Sequence, residues 1–361
     1  MASILRVGQV LKGRVSTYTL TKEVYKSADD GVVFLARQNH REEKCILKSI
    51  PGHWRLQNEA TILGRYQDKT PFLRPLLDEI EEPPEPASIV LKYLDTDLLS
   101  ESNKNRLSRS EIKQVARAVL EVLKVLHQDG MVHTDIKLDN IFVNYGQGRQ
   151  RFSTIQLGDC GGVVHQDSEF ARDGHVIGAA FTRSPESTFQ LRWGTATDIW
   201  SFGNAILSLL YGGNYHVFNP ANEGVKPDDD NYFYMVLKRM HRLFGPFPHS
   251  YTEFNDEGVN EVCQIINMQG PPQKPFQRVT PKEVPPADKK FLLKIMKLDP
   301  RDRPTAEELL ADEWFTEESE DTRAPLPVQA PAGDDKASLP QREGTAENAS
   351  SVPPLEEETK G

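Results

Sequence analysis

The stretch His133-Thr134-Asp135-Ile136-Lys137-Leu138-Asp139-Asn140 (HTDIKLDN) sets an acid two residues, an ammonium four residues and an amide seven residues after a histidine. It follows SRSEIKQVARAVLEVLKVLHQDG, whose apolar spacing predicts an amphipathic helix opened by Ser108 or Ser110 as N-cap and closed at Gly130. Taken alone, the stretch reads equally as a polar loop behind a helix. Its companions along the chain decide between the two. Upstream stand CILK, ending at Lys48, and NEATIL, with Glu59 followed one turn later by Leu63. Downstream come LGDCGG with Asp159 and Gly161, RSPE with Pro185 and Glu186, TDIWSFG with Asp198, Trp200, Ser201 and Gly203, and LDPRDRPTAEELLADEWF with Arg303.

Around these blocks the texture of the chain changes twice. Residues 1–93 carry short β-type runs (GVVFLARQ, KCILKSI, ASIVLKYL), interrupted by one helical patch, RLQNEATILGRY, with Leu56, Ala60, Ile62 and Leu63 to one side. After the connecting stretch LKYLDTDLL, residues 94–315 are dominated by helical patterns such as TATDIWSFGNAILSLLYGG and PADKKFLLKIMKLD. From Thr316 to Gly361 the composition turns to Pro, Glu, Ser and Ala with few large apolar groups, which predicts a disordered tail. No internal repeat is visible.

The bulk numbers narrow the function classes. With 361 residues, 38% hydrophobic and 27% charged, the chain is a soluble globular protein of one large domain or two packed lobes. A formal net charge of −10 argues against nucleic acid held by a general basic surface. It suits a basic protein or peptide partner, and equally plain solubility. The three cysteines, Cys45, Cys160 and Cys263, fit neither a disulfide framework nor a zinc spacing, so a reducing compartment is expected. No apolar run approaches the ~18 residues of a membrane span, so no membrane partner and a cytosolic or nuclear location are expected.

The HTDIKLDN stretch resembles the catalytic loop of eukaryotic protein kinases, and the companion blocks resemble that family's other motifs in the order the family has them. The resemblance spans about residues 20–315 and implies an α+β, bilobal kinase fold: a small β-rich lobe over residues 1–93 and a larger helical lobe over 94–315. It implies ATP and Mg²⁺ as cofactors and a protein serine or threonine hydroxyl as acceptor, with a monomer expected. Phosphoryl transfer asks the protein mainly for positioning and for neutralisation of phosphate charge. Lys48 is then the cation for the α/β-phosphates and Glu59 its orienting partner. Asp135 is the group that accepts or orients the hydroxyl proton. Lys137, the mark of serine/threonine rather than tyrosine specificity, is a point charge for the γ-phosphate. Asn140 and Asp159 are the hard oxygen ligands for magnesium. Gly31, Val33, Ile46, Leu91 and Phe142 match positions that line the nucleotide site. The carbonyl of Lys92 and amide of Leu94 match those that bind adenine, and Asp97 stands where it would reach a ribose hydroxyl or cap a turn. His133 is read as structural, and Arg303 as the partner of Glu186.

Several positions depart from the family pattern. Thr134 replaces the arginine that binds an activation-loop phosphate, so the loop GGVVHQDSEFARDGHVIGAAFTRSPE must be ordered in another way or not held. Lys26 and Ala28 occupy the first two glycine sites of the phosphate loop, with Asp29 and Asp30 beside them and only Gly31 kept. Ile46 and Phe142 narrow the adenine slot, Cys160 replaces a phenylalanine, Ala179 replaces a threonine, and the Lys48–Glu59 interval is short. Arg183 and the long segment ending in LFGPFP resemble the CMGC group, and within it the serine/arginine-protein kinases of fungal type. The retained ionic groups favour a slow or selective kinase, and a pseudokinase scaffold is the rival. RSPE and the insertion before GPFP argue against a small-molecule phosphotransferase.

Overall fold

A computed structural model describes residues 5–27, 31–50, 52, 54–148, 150–254, 256–270, 274–318, 321 and 323. They fall into two compact units, one running to Tyr93 and including Asp159–Val163, the other formed by Leu94–Gly158 and the chain from Val164 onward.

The first unit is built on strands β1 (Val10–Gly13), β2 (Thr17–Ser27), β3 (Gly31–Gln38), β4 (Glu43–Ser49), β5 (Leu76–Glu82) and β6 (Ser88–Lys92), with helix α1 (Trp54–Tyr66) between β4 and β5. The sheet runs β1-β2-β3-β4-β6-β5 and closes because β1 also pairs with β5. Side chains alternate across each strand. In β4 this sends Cys45 and Leu47 into a core shared with Leu11, Tyr18, Leu20, Phe34, Ala36 and Val90, and leaves Ile46 and Lys48 half-buried on the opposite face. The β1–β5 seam is pinned by buried Asp78. Its carboxylate accepts from the backbone N–H groups of Arg14, Val15 and Ser16 at 3.0, 2.9 and 3.1 Å and from the Tyr18 hydroxyl at 2.9 Å. Helix α1 buries Leu56, Glu59, Ala60, Ile62, Leu63 and Tyr66, a stripe at i, i+3, i+4 spacing with one acid in it.

The second unit opens with the short strand β7 (Thr96–Asp97), helix α2 (Leu98–Lys104) and the 20-residue α3 (Arg109–Gln128). Ser108 is the N-cap of α3, forming a capping box with Glu111. Strands β8 (Met131–Val132), β9 (Ile141–Tyr145) and β10 (Phe152–Leu157) flank the HTDIKLDN loop, and β11 (Val164–His165) pairs back to β8. Helices α4 (Glu169–Arg172) and α5 (Pro185–Thr188) lie within the loop that follows, ahead of α6 (Ala196–Tyr211), α7 (Tyr232–Phe244), α8 (Glu257–Met268), α9 (Pro286–Ile295) and α10 (Ala306–Leu310). Helix α6 is buried almost all round, the signature of a central helix, so its polar residues Asp198, Ser201, Asn204 and Ser208 need partners inside the protein.

The ends of the unit are joined by buried charge. Arg303 forks onto Glu186 at 2.7 and 2.8 Å, the pairing expected from the sequence. Asp288 takes Arg109 at 2.6 Å and the Trp314 indole N–H at 2.7 Å. Of the segment expected to be disordered from Thr316, residues 319, 320, 322 and 324–361 lie outside the described residues. Arg323 is described: its guanidinium donates to the carbonyls of Leu107 and Leu210 at 2.8 and 3.2 Å. Among the described residues no helix is long and apolar enough to cross a membrane.

Candidate active site

In the first unit, three ionic groups far apart in sequence meet. The Lys48 Nζ lies 2.8 Å from Glu59 Oε2 and 2.8 Å from Asp159 Oδ1. Strand β4 supplies the lysine on its outward face, α1 supplies Glu59 from its buried stripe, and Asp159 begins the short stretch that joins this unit. Burial pulls the Lys48 ammonium down, but the carboxylates of Asp159 and Glu59 outweigh it and raise the group above its ordinary range, so the lysine stays charged. Asp159 has left-handed backbone, φ 61° and ψ 59°, an unusual conformation for a non-glycine residue. Asn58, one residue before Glu59, donates to the carbonyls of Gly161 and Val163 at 3.1 and 2.8 Å, tying that stretch to α1.

The other residues predicted in this unit lie on or beside strands β3, β4 and β6. Gly31 starts β3 at φ +79°, and a Cβ there would collide with the Ser49 carbonyl, so only glycine fits. Val33 and Ile46 are half-buried on β3 and β4, and Leu91, buried in β6, stands in register with Ile46. Lys92 donates its N–H to the Pro75 carbonyl at 3.1 Å, and its carbonyl accepts from Arg74 Nε at 2.9 Å. Ala28, Asp29 and Asp30, expected to replace the phosphate loop, lie outside the described residues.

In the second unit, the HTDIKLDN loop is held from beneath by α6. Asp198, buried near the start of α6, accepts from the backbone N–H groups of His133 at 2.7 Å and Thr134 at 2.9 Å, and pairs with His127 Nε2 at 2.9 Å. Thr134 sits at φ 73°, a strained setting for a β-branched residue that these bonds sustain. His133 is fully buried, as a structural residue should be. Above this support, the Asn140 side-chain amide donates to the Asp135 carbonyl and to Asp135 Oδ2, both at 2.9 Å. Lys137 Nζ lies 3.2 Å from Asp135 Oδ2 and 3.5 Å from Asp139 Oδ2. One carboxylate oxygen of Asp135 is thereby fixed, while Oδ1 has no partner, and neither has Asn140 Oδ1. A buried acceptor left over on each of these residues is what a catalytic base and a cation ligand require. No cluster of three or more His, Cys, Asp or Glu with metal-binding geometry occurs among the described residues. Magnesium, held largely by phosphate oxygens, needs none, and Asn140 Oδ1 fits it.

Leu94 is buried, and Phe142 is half-buried on β9. Asp97 is the N-cap of α2: Oδ1 accepts from the Ser100 N–H at 2.8 Å and Oδ2 from the Ser100 hydroxyl at 2.9 Å. Of its two readings from sequence, the structure has the turn cap.

The loop after Asp159 is ordered without a basic residue at 134. Arg183, buried, donates from Nε to the Ile177 carbonyl at 2.7 Å and from Nη2 to the Gly178 carbonyl at 2.9 Å. Burial lowers the Arg183 guanidinium to about 10, and it remains a cation at neutral pH. The Trp193 indole donates to His175 O at 2.8 Å, and Phe170 stacks on His175 with ring centres 4.6 Å apart. Ala179 offers its carbonyl to the N–H groups of Thr182 and Arg183. Cys160 is completely buried and its thiol is pushed well up by burial, so it behaves as a small apolar group. The supports that motif reading did not reveal are Asn58, Trp193 and Asn204. Each donates from its side chain to one or two carbonyls distant in sequence, which leaves no spacing in the sequence.

Comparison with known proteins bears on this geometry. Residues 27–315 match the protein kinase domain. The chain is 27% identical over 311 residues to mitogen-activated protein kinase 8 of Oryza sativa subsp. japonica, covering 81% of this chain and 51% of that protein. It is 26% identical over 328 residues to the CTD kinase subunit alpha of Schizosaccharomyces pombe, covering 85% and 51%. With human serine/threonine-protein kinase PAK 4 it shares 29% identity over 159 residues, 43% of this chain and 25% of that protein. The chain thus spans between a quarter and about half the length of these relatives. With most of its length matched, the chain belongs to the protein kinase domain family, and its β-rich and helical units are the two lobes of that family's α+β fold.

Proposed function

We propose that this chain is an ATP- and Mg²⁺-dependent serine/threonine protein kinase. The observation that carries the reading is Asp135: one carboxylate oxygen is locked by Asn140 and Lys137 while the other is buried and unpartnered. In this reading, Asp135 Oδ1 takes the proton of the acceptor hydroxyl as its oxygen bonds to the γ-phosphorus. The bond from that phosphorus to the β–γ bridging oxygen breaks, and the electron pair leaves with ADP. Lys137 offers positive charge to the moving phosphoryl group. Lys48, kept charged and aimed by Glu59 and Asp159, neutralises the α/β-phosphates. Asn140 and Asp159 are the residues that would hold magnesium, which supplies charge neutralisation at the phosphates when bound. Gly31, Val33, Ile46, Leu91, Lys92, Leu94 and Phe142 are assigned to the nucleotide. Asp97 is left to its capping role.

The grip of Arg183 on two loop carbonyls supports the finer resemblance to the CMGC group. The acidic net charge supports a basic protein acceptor, and a soluble monomer in cytosol or nucleus completes the reading. The rival reading, a pseudokinase scaffold, is favoured by Lys26, Ala28, Ile46 and Ala179, which depart from the family pattern at phosphate-loop, nucleotide and acceptor positions. Thermal-shift titration with ATP and Mg²⁺, followed by radiolabel transfer to a basic peptide mixture, separates the two. The kinase reading expects a shift, transfer, and loss of transfer with retained ATP binding in Asp135→Asn. Folded protein that neither shifts nor labels leaves the scaffold.

A further inference from the structure

Thr134 removes the cation that a loop phosphate would need, yet five of the six carbonyls of Ile177–Thr182 accept a hydrogen bond. Arg183 takes the carbonyls of Ile177 and Gly178. The Ala179 carbonyl accepts from the N–H groups of Thr182 and Arg183 at 3.0 and 3.1 Å. From α6, Asn204 Nδ2 donates to the Phe181 carbonyl at 2.7 Å and Ser201 Oγ to the Thr182 carbonyl at 3.1 Å. Within Ile177–Thr182, the Ala180 carbonyl alone is not used in these bonds. The hydroxyls of residues 161–186 are also committed. Ser168 Oγ caps α4 by accepting the Ala171 N–H, Thr182 Oγ1 donates to Ala179 O, and Ser184 Oγ bonds Thr197 Oγ1 at 2.6 Å.

Asn204 stands out in this set. It is 1% exposed in the middle of a buried helix, and its Oδ1 has no partner. An unsatisfied buried acceptor costs stability that an isosteric leucine would not, so what the amide contributes is its donor. Asn204 lies six residues past Asp198, and one buried helix therefore fixes both the backbone of the catalytic loop and the acceptor-side stretch. The two meet at Gly178: a Cβ there would stand 3.1 Å from Thr134 O and 3.9 Å from the unpartnered Asp135 Oδ1.

We propose that Asn204 is a positioning residue that, seconded by Ser201, holds Phe181–Thr182 in its working arrangement beside Asp135 with no phosphate on the loop. The inference rests on the kinase reading for its functional meaning, and on the geometry alone for the ordering. A buried donor on a rigid helix fills the role that an arginine–phosphate pair would otherwise have, and it cannot be switched by a phosphatase.

The test uses the full chain, treated with phosphatase and shown by mass to be unphosphorylated. Amide exchange of peptides covering residues 177–184 is followed with thermal melting as a check on folding. Slow exchange at Thr182 and Arg183 is expected in this protein, rising roughly ten-fold in Asn204→Leu and less in Ser201→Ala. In kinetics, Asn204→Leu raises the KM for a peptide acceptor while the KM for ATP stays within about two-fold, a split that general destabilisation would not give. Unprotected exchange in the unphosphorylated protein, loss of activity on phosphatase treatment, or unchanged exchange in Asn204→Leu overturns the proposal. Protection that depends on Asn204 in a protein transferring no phosphate supports it and removes the kinase reading instead.

Discussion

Replacing Arg303 by methionine isolates the energetics of the deepest charge pair in the helical unit. The Arg303 and Glu186 side chains are 0% and 1% exposed, and both carboxylate oxygens receive a guanidinium N–H. The same guanidinium serves the carbonyls of Lys297, Ala196 and Leu298 at 2.8, 2.9 and 3.1 Å. Arg303→Met therefore strands a buried carboxylate and removes the donor from three carbonyls. Losing one member of a buried pair costs about 3–5 kcal/mol, and the upper half of that range applies because the carbonyls lose a donor too. Glu186→Met strands the cation instead, which keeps its three carbonyls, so the cost falls to the lower end. The double variant has no unpaired charge and recovers at least half of the summed loss. For a unit of this size each kcal/mol moves the melting point by roughly 2–4 °C, which makes Arg303→Met a drop on the order of 10 °C. Urea unfolding read by near-UV and far-UV circular dichroism gives the same quantities. A cost below about 1 kcal/mol for Arg303→Met, or strictly additive singles, would refute the reasoning.

Three further outcomes are expected. Gly31→Ala forces a Cβ against the Ser49 carbonyl at a φ of +79° and should cost roughly 2 kcal/mol or more; a melting point equal to that of the parent would contradict this. Asp198→Asn turns one acceptor into a donor facing the N–H of His133 or Thr134, so phosphoryl transfer should fall by about 100-fold with the helices intact by circular dichroism. Burial pushes the Asp299 carboxyl up, but bonds from Arg301 and Ser250 outweigh it and hold the group down at about 2. A depressed carboxyl stabilises above its unfolded value near 3.8, and that contribution, at most about 2 kcal/mol given the half-exposed Arg301, is lost as pH falls from about 4 to 2. Asp299→Asn should flatten the acid limb of the stability profile there.

The chemistry-bearing groups were legible in the sequence because they lie at fixed offsets inside compact blocks. Asp135, Lys137 and Asn140 share one loop, and Glu59 shares a stripe with Leu63. Ser108 was one of two caps in prospect beside Ser110, and the box that Glu111 closes three residues on selects it. The Asp97 carboxylate had two partners in prospect, and the local one won because Ser100 lies within its own turn. The bonds of Asn58, Asn204 and Arg323 to carbonyls were not legible. Such a contact depends on the folded path of 20 to more than 200 intervening residues, and it imposes no periodicity on its neighbours. The same holds for the VLKG strand, too short to show a period of two, which pairs with a partner some 70 residues away.

That short strand has a practical consequence. By joining Leu76–Glu82, it leaves the sheet of the β-rich lobe with no free border on which another polypeptide could add a strand. A truncated protein cut to the family-matched stretch 27–315 would discard Val10–Gly13 and all but the last residue of its neighbour, baring rows of backbone donors and acceptors on Gly31–Gln38 and Leu76–Glu82. Such a fragment is expected to associate through these edges, so recombinant versions should start before Leu5.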